Sequence, residues 1–480
     1  MSKNLIIVES PAKAKTIGKF LGNQYTIKAS MGHVRDLPQK SLGVDVKNNF
    51  KPQYVTDPRK KKVIVELQEA AEKASHIYLA PDHDREGEAI AWHLVQVLGN
   101  GIKDKPIHRI VFNEITRSAI QQALSNPGDI DENKVNSQQA RRILDRIVGY
   151  NISPLLWRVL TKNLSAGRVQ SVALRLICER EAEIDSFQPQ EYWSLEAVLY
   201  RDQLPPFRAT LQKWAGSKVD IKEGVAAGEI KKQLDQQQFI LSNISDGSKK
   251  VQPLPPFITS SLQQDAARLF NFSAKKTMMI AQQLYEGIEV AGETAGLITY
   301  MRTDSLRIAG EALDNVRKLV RERFGEQELI AKARLFKNKN RTQDAHEAIR
   351  PTDCFRTPEA VSNFLNKEQL KLYTLIWQRF VATQMQPVKL HTRTFEITAG
   401  PGIFSCSGST VTEQGFALAY PHIKLILGEK LHPDYRINDP LAVKEMDALQ
   451  HFTKPPVRYT EASLIKELET LGIGRPSTYA

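Results

Sequence analysis

Cysteine is scarce in this 480-residue chain: Cys178, Cys354 and Cys406 are the three present, and each stands alone. That spacing excludes a disulfide framework and leaves no Cys-x-x-Cys pair for zinc. No run of about 18 apolar residues occurs, so no membrane-spanning helix is expected. The first residues read as a strand rather than as a signal peptide. A Gly-x-x-x-x-Gly-Lys-[Ser/Thr] loop is absent, which sets aside P-loop nucleotide chemistry. Fixed-period repeats and low-complexity tracts are absent too.

What is present is positive charge: 66 Lys+Arg against 54 Asp+Glu, a net of +12. The excess favours a polyanionic partner, although ribosome-associated and membrane-surface proteins share it. The length implies several domains with substantial cores. Residues 101–187 read as helical, and segments from Tyr192 to about Phe239 alternate as half-buried strands. Pro253, Pro255 and Pro256 mark a boundary, helical spacing returns over 258–290, and strand-like segments recur at 389–427. A β-rich region on both sides of a helical stretch suggests one domain interrupted by another.

The chemistry concentrates in Ala80-Pro81-Asp82-His83-Asp84-Arg85-Glu86-Gly87-Glu88, directly after an apolar run. In an extended backbone Asp82, Asp84 and Glu86 share a face and would converge on one hard cation, with Mg²⁺ the natural fit. A calcium EF-hand loop fails as an alternative, because its twelfth position is His93 rather than Glu. Ile90, Leu94, Val97 and Leu98 also show helical spacing where that loop should still be open. Further upstream, Asn4-Leu5-Ile6-Ile7-Val8 reads as a buried parallel strand ending at Glu9. Ser10-Pro11 then caps a helix, running to Gly22, that carries Lys13, Lys15 and Lys19. Ligands of open α/β sheets bind beyond the strand tips, which would put Glu9 beside Asp82. This arrangement resembles the Toprim domain.

Two stretches look suited to nucleic acid. In Gln138–Val148, Ile143, Leu144, Ile147 and Val148 would share one helix face, with Arg141, Arg142, Asp145 and Arg146 opposite. Such a face can be merely solvated, but Tyr150 and Trp157 follow, and guanidinium groups beside aromatics suit a single strand. Leu164-Ser165-Ala166-Gly167-Arg168-Val169-Gln170-Ser171 adds small residues that admit a backbone, with phosphate-bonding groups among them. Tyr300, in Gly296–Ser305, would share an extended face with Arg302, whose charge would favour the phenolate. Asp344–Thr352, with His346 inside it, is a further phosphate-suited cluster.

Taken in order, these motifs closely resemble the bacterial type IA DNA topoisomerases along essentially the whole chain. The match rests on Ile7–Lys15, Gly32–Pro38, Asp82–Glu88, Leu164–Gln170, Gly296–Ser305, His346–Thr352 and Gly474-Arg475-Pro476-Ser477-Thr478-Tyr479. Pro81 departs from the family, which has a small hydroxylated residue there. The resemblance implies a multidomain α/β, α and β architecture forming a torus. Its parts would be a Toprim domain (1–130), a helical DNA-binding domain (131–187 and 457–480), a β-rich arch (188–257 and 386–456) and a helical domain carrying Tyr300 (258–385). It implies an isomerase that cuts one DNA strand through a 5′-phosphotyrosyl intermediate, passes a strand and reseals without ATP, relaxing negatively supercoiled DNA. Tyr300 would be the nucleophile and Glu9 the general acid, with Lys13 and Arg302 stabilising phosphate charge and His346 assisting. Glu9, Asp82, Asp84 and Glu86 would hold Mg²⁺. His33, Arg141, Arg142, Asp145, Arg146, Tyr150, Trp157, Ser165, Ala166, Gly167, Arg168, Val169, Gln170, Arg475 and Thr478 would line the path of single-stranded DNA.

The same resemblance implies a cytoplasmic, nucleoid-associated monomer. It also implies a C-terminal truncation at Ala480, giving a piece expected to bind metal and cleave but to relax supercoils poorly. Two competing readings are a metal-dependent nuclease, which would not need Tyr300, and a non-catalytic single-strand binding module, which would not need the acids.

Overall fold

The computed structural model describes residues 3–102, 104–338 and 346–479, with the side chains of 100 and 101 left aside. Asp344 and Ala345, part of the phosphate-suited cluster above, lie outside the described residues. Among the described residues, a four-stranded sheet is built from β1 (Asn4–Val8), β2 (Tyr25–Ala29), β3 (Ile77–Leu79) and β4 (Ile107–Arg109). Its order is β2-β1-β3-β4 and every pairing is parallel. Parallel strands need crossovers, supplied by α1 (Pro11–Leu21), α2 (Lys61–Lys73) and α3 (Arg85–Leu98). Leu5, Ile7, Ile77 and Leu79 pack against α2 and α3 on one face. Ile6, Val8, Ala80 and Ile110 face the opposite way, into the core that contains Tyr300.

α4 (Arg117–Ser125) leads to α5 (Glu132–Val159) and α6 (Arg168–Asp185). The short strand β4 interrupts the region read as wholly helical, because three residues are too few to show a period. α6 has no fully buried residue, and α5 buries only Val135, Gln138 and Ser153. The supposed apolar face of α5 is not a core face: Ile143, Ile147 and Val148 are half-buried and Leu144 is 48% exposed.

A seven-stranded antiparallel sheet collects β5 (Glu191–Tyr200), β6 (Phe207–Trp214), β7 (Phe239–Val251), β8 (Val388–Ala399), β9 (Gly402–Glu413), β10 (Pro440–Phe452) and the short Ser217–Lys218. β5 pairs with both β10 and β6, so the sheet closes on itself around Phe207, Phe239, Phe395 and Phe404. Strands from both flanks of the intervening helices therefore share one sheet. A helix, α7 (Gly224–Leu234), falls within the region whose segments read as half-buried strands; Ala227 and Leu234 anchor it on the sheet core. The reading of strands through 427 also ends early, since residues after Glu413 form a short turn and loop.

Between β7 and β8 lie α8 (Thr259–Phe270), α9 (Ala274–Glu286), α10 (Gly310–Phe324) and α11 (Lys367–Ala382). Their core is continuous with one face of the parallel sheet through Phe112, Ile115, Tyr285, Leu297 and Tyr300. Each such buried side chain contributes about 1.5–3 kcal/mol. The exposed Lys19–Glu289 ion pair across the same seam contributes about 0–1 kcal/mol, so apolar packing holds the two units together. α12 (Glu461–Thr470) packs on α8. Among the described residues no helix is long and apolar enough to cross a membrane.

The thiols report on these cores. Cys354 and Cys406 are buried, and burial pushes both up to about 12, whereas Cys178 is exposed. Brief alkylation of the folded chain at pH 8 should add a single label, at Cys178, in the intact mass. Rapid labelling of two or three thiols would contradict the packing around β9 and α11.

Candidate active site

Glu9 stands immediately beyond the tip of β1. The Ser10 hydroxyl accepts from the Lys13 amide at 3.3 Å and Pro11 fixes the first turn, so α1 starts at once and Lys13 points back, one turn on, at Glu9. The Lys13 ammonium has no solvent exposure and donates to both Glu9 Oε1 and Asp82 Oδ1.

Asp82 lies on the loop after β3, and the backbone of this loop is clamped by Arg109. That buried guanidinium donates to the carbonyls of Leu79 (3.2 Å), Pro81 (2.9 Å) and Asp82 (2.8 Å), while Glu88 Oε2 accepts from its Nε at 3.1 Å. Asp84 caps α3 by accepting from the Gly87 amide at 2.8 Å. Glu86 consequently sits in the first helical turn, not on an extended segment, and accepts from Gln138 Nε2 at 3.0 Å with His33 Nε2 at 3.4 Å. Asp82, Asp84 and Glu86 each have a different protein partner, while all three border one cavity together with Glu9. Among the described residues no group of three His, Cys, Asp or Glu forms a single ligand shell.

Tyr300 comes to this cluster from the neighbouring helical unit. Its hydroxyl donates to Asp84 Oδ2 at 2.6 Å, and its amide donates to the Asn113 carbonyl at 2.8 Å. Its ring lies 5.4 Å from that of Tyr285 and 5.9 Å from that of His346, whose Nε2 donates to the His83 carbonyl. Residues 299–303 form no regular strand; Ile298 makes an isolated bridge to Pro351 and the chain then turns. Arg302 is exposed and borders the same cavity as the acids.

The electrostatics differ from the expectation for Tyr300. Burial, with the charges of Asp82 and Asp84, holds its hydroxyl well above the ordinary phenol range, and Arg302 offsets only part of this. The group is a phenol donating a hydrogen bond, not a phenolate. Glu9 is pushed up to about 8 by burial and by Asp82, against the pull of Lys13. Burial also works against the charge on Asp82, but the Lys13 ammonium outweighs it and keeps that carboxyl below its usual range. One carboxyl is thus held protonated beside one held ionised.

A cavity of about 530 Å³ opens here, lined by Glu9, Asp82, Asp84, Glu86, Met278 and Arg302 among others. Glu9 Oε2 is buried and has no partner among the described residues. An orphaned oxygen among further carboxylates suits a hard, oxygen-seeking cation. A second cavity of about 320 Å³ is lined by His33, Arg35, Tyr54, Glu86, Arg141, Arg142 and Asp145, so Glu86 borders both. Arg142 makes a two-pronged pair with Asp36 (2.9 and 2.6 Å), and Asp145 accepts from Arg168 at 2.8 Å. Arg146 donates to the Pro38 carbonyl at 2.9 Å and stacks 5.1 Å from the Tyr150 ring; Trp157 Nε1 donates to the Leu164 carbonyl at 2.6 Å.

The Ser165–Gln170 segment leads into α6, with Ala166 N bonded to Ser153 Oγ, Gly167 at the cap and Arg168 and Val169 in the first turn. Arg475 and Thr478 close a local turn, in which the Arg475 amide donates to Thr478 Oγ1 at 2.8 Å. Arg475 also acts electrostatically on Arg85, next to Asp84. The clamp Arg109, the aromatic neighbour Tyr285 and the α9 side chains Met278 and Gln282 escape a reading of the sequence. Only Glu88, inside the acidic motif, carried a signal.

Gly87 tests the geometry. A Cβ there would lie 2.1 Å from the Asp82 carbonyl oxygen, which Arg109 holds in place. Gly87→Ala should move the Asp82 loop by about 1 Å and cost about 1–3 kcal/mol. A crystal structure of the variant and its thermal melt would show this, and an unmoved loop with unchanged stability would refute the clamp.

Comparison with known proteins agrees with these features. The DNA topoisomerase family profile matches residues 129–480, and the Toprim domain, a metal-binding fold, matches residues 4–115. DNA topoisomerase 1 of Treponema pallidum (strain Nichols) is 47% identical over 482 residues. The alignment takes in 100% of this chain and 65% of that protein, so the chain spans just under two thirds of its relative's length. The structure of full-length topoisomerase I from Thermotoga maritima superposes with a TM-score of 0.85 at 42% identity, over 99% of this chain and 77% of that one. With its parallel Toprim sheet, its acid cluster and the tyrosine brought to it, the chain belongs to the type IA DNA topoisomerase family.

Proposed function

We propose that the chain carries the strand-cleaving machinery of a DNA topoisomerase I, and that the whole protein relaxes negatively supercoiled DNA without ATP. The carrying observation is the 2.6 Å hydrogen bond from Tyr300 Oη to Asp84, which sets a nucleophile from one unit among the acids of another. In this reading Oη attacks a phosphodiester phosphorus, the bond from phosphorus to the 3′ oxygen breaks, and the 5′ phosphate stays on Tyr300. Asp84 stands where the phenolic proton would go, and protonated Glu9 would supply one to the departing 3′ oxygen. Resealing reverses both transfers, and the energy kept in the ester makes a nucleotide unnecessary.

Lys13 and Arg302 would offset phosphate charge, and His346, in ring contact with Tyr300, would orient it. Asp82, Asp84 and Glu86, with Glu9 once it has given up its proton, would hold Mg²⁺, which when bound supplies positive charge next to the phosphate. A single strand would run past His33, Arg141, Arg142, Asp145, Arg146, Tyr150, Trp157 and Ser165–Gln170, with Arg475 and Thr478 near the acid loop. The domain limits given above, a monomeric state and a cytoplasmic, nucleoid-associated location belong to the same proposal.

Denaturing a reaction with end-labelled single-stranded DNA should leave label covalently on Tyr300, mapped by peptide mass. Tyr300→Phe should lower the adduct to about 10⁻³ of the parent level or less. Free DNA ends without an adduct would instead favour the nuclease reading. Millimolar Mg²⁺ should raise the thermal midpoint of the parent, the stabilisation reaching about 2.7 kcal/mol at 100 times its dissociation constant. The doubly substituted Asp82→Asn/Asp84→Asn chain should not respond; an equal rise in both would place the cation elsewhere.

A further inference from the structure

We infer that Glu114 is a positioning residue, latching the Tyr300 segment to the parallel-sheet unit through Arg350. This deepens the reading proposed above and rests on it for its role in strand passage. Arg350 is almost fully buried, with Nη2 3.1 Å from Glu114 Oε2 across the seam and 2.9 Å from Glu347 Oε2 on its own unit. Its main chain grips the residue before the nucleophile: Thr299 N donates to Arg350 O at 2.9 Å, and Arg350 N donates to Thr299 Oγ1 at 3.0 Å. The residues flanking Glu114 take the other side of that segment. Asn113 O accepts from Tyr300 N at 2.8 Å, and Ile115 O accepts from Gly296 N at 2.9 Å.

Tyr300 is therefore held in register by two strips of main chain, and the Glu114–Arg350 pair ties one strip to the other. The arrangement is built to release. When the seam parts, Arg350 keeps Glu347, so no bare charge is left buried in its unit. Glu114 keeps the Thr116 hydroxyl, which donates to its Oε1 at 3.1 Å. A cavity of about 790 Å³ bordered by Glu114, Thr116, Glu347 and Arg350 adjoins the pair. By contrast, the cross-seam pair Lys19–Glu289 is exposed on both sides and carries little positional information.

Hydrogen exchange followed by mass spectrometry on the full chain tests this without relying on activity. Glu114→Gln should speed exchange in peptides covering 294–302 and 111–117 by about tenfold, leaving peptides from β8 and β9 unchanged. Glu114→Asp, which keeps the charge, should recover most of the protection. Unchanged exchange at 294–302 in Glu114→Gln overturns the latch. If Glu114→Gln loosens the whole chain, Glu114→Asp decides: protection restored throughout, or a small residual rise confined to the two seam peptides, supports the latch, and a rise elsewhere overturns it. The adduct assay on the parent chain is separate. An adduct with no exchange effect sinks the latch and leaves the topoisomerase reading standing, whereas an exchange effect with no adduct does the reverse.

Discussion

An ammonium with no access to water, placed between two carboxylates, sets the terms for everything around it. Lys13 is held by the cap and first turn of α1, so its position is fixed by backbone rather than by side-chain choice. Two carboxylates this close cannot both ionise without cost. Lys13 compensates one of them, which leaves Asp82 charged and Glu9 holding a proton up to about pH 8. Such a division of protonation states between neighbouring acids is the usual mark of acid–base chemistry. It also sets the environment of Tyr300, whose hydroxyl meets negative charge and burial together and so remains a hydrogen-bond donor.

The site spans a seam between a parallel sheet and a helical unit, and the seam is heterogeneous. Its centre is apolar, with Phe112 and Ile115 against Leu297 and Tyr300. Its rim is polar and partly exposed: Ser10 donates to Glu286 at 2.8 Å, and Lys19 meets Glu289. Close approach is enforced at Gly287, where φ is +120° and a Cβ would lie 2.5 Å from Thr16 Oγ1, and at Gly296, where one would lie 3.4 Å from Ile115 Cβ. A joint built this way closes to one register, since small changes in backbone separation cost contacts on both sides.

Much of this was legible in the sequence, for identifiable reasons. β1 and α1 were readable because a β-branched run followed by Ser-Pro is locally unambiguous, and α3 because Ile90, Leu94 and Leu98 keep helical spacing. The acidic motif was visible as composition, yet its geometry was misread. Asp84 is extended as read, but its side chain caps α3, and Glu86, read as extended too, already lies in the first helical turn. α7 was lost among strands, since eleven residues anchored by Ala227 and Leu234 carry little periodic signal. Arg109 and Glu114 were invisible because their meaning lies in partners far along the chain: the Asp82 loop for one, Arg350 for the other.

A basic chain built around an acidic hollow poses an electrostatic problem for any phosphate that enters. The net charge of +12 draws a polyanion over distances set by salt, about 8 Å at physiological ionic strength. Inside the hollow, Asp82, Asp84 and Glu86 would repel it. Attraction must therefore come from charges close to the phosphate: Arg302 at the cavity edge, Lys13 beneath, and a cation if the acids hold one. Arg141, Arg142 and Arg168, on the path proposed above for a single strand, are each paired with Asp36 or Asp145 in this structure. A phosphate backbone would have to exchange those ion pairs for its own. Because the pairs are partly exposed, that exchange costs little, and affinity along the proposed path should be governed by the number of phosphates contacted rather than by any one arginine.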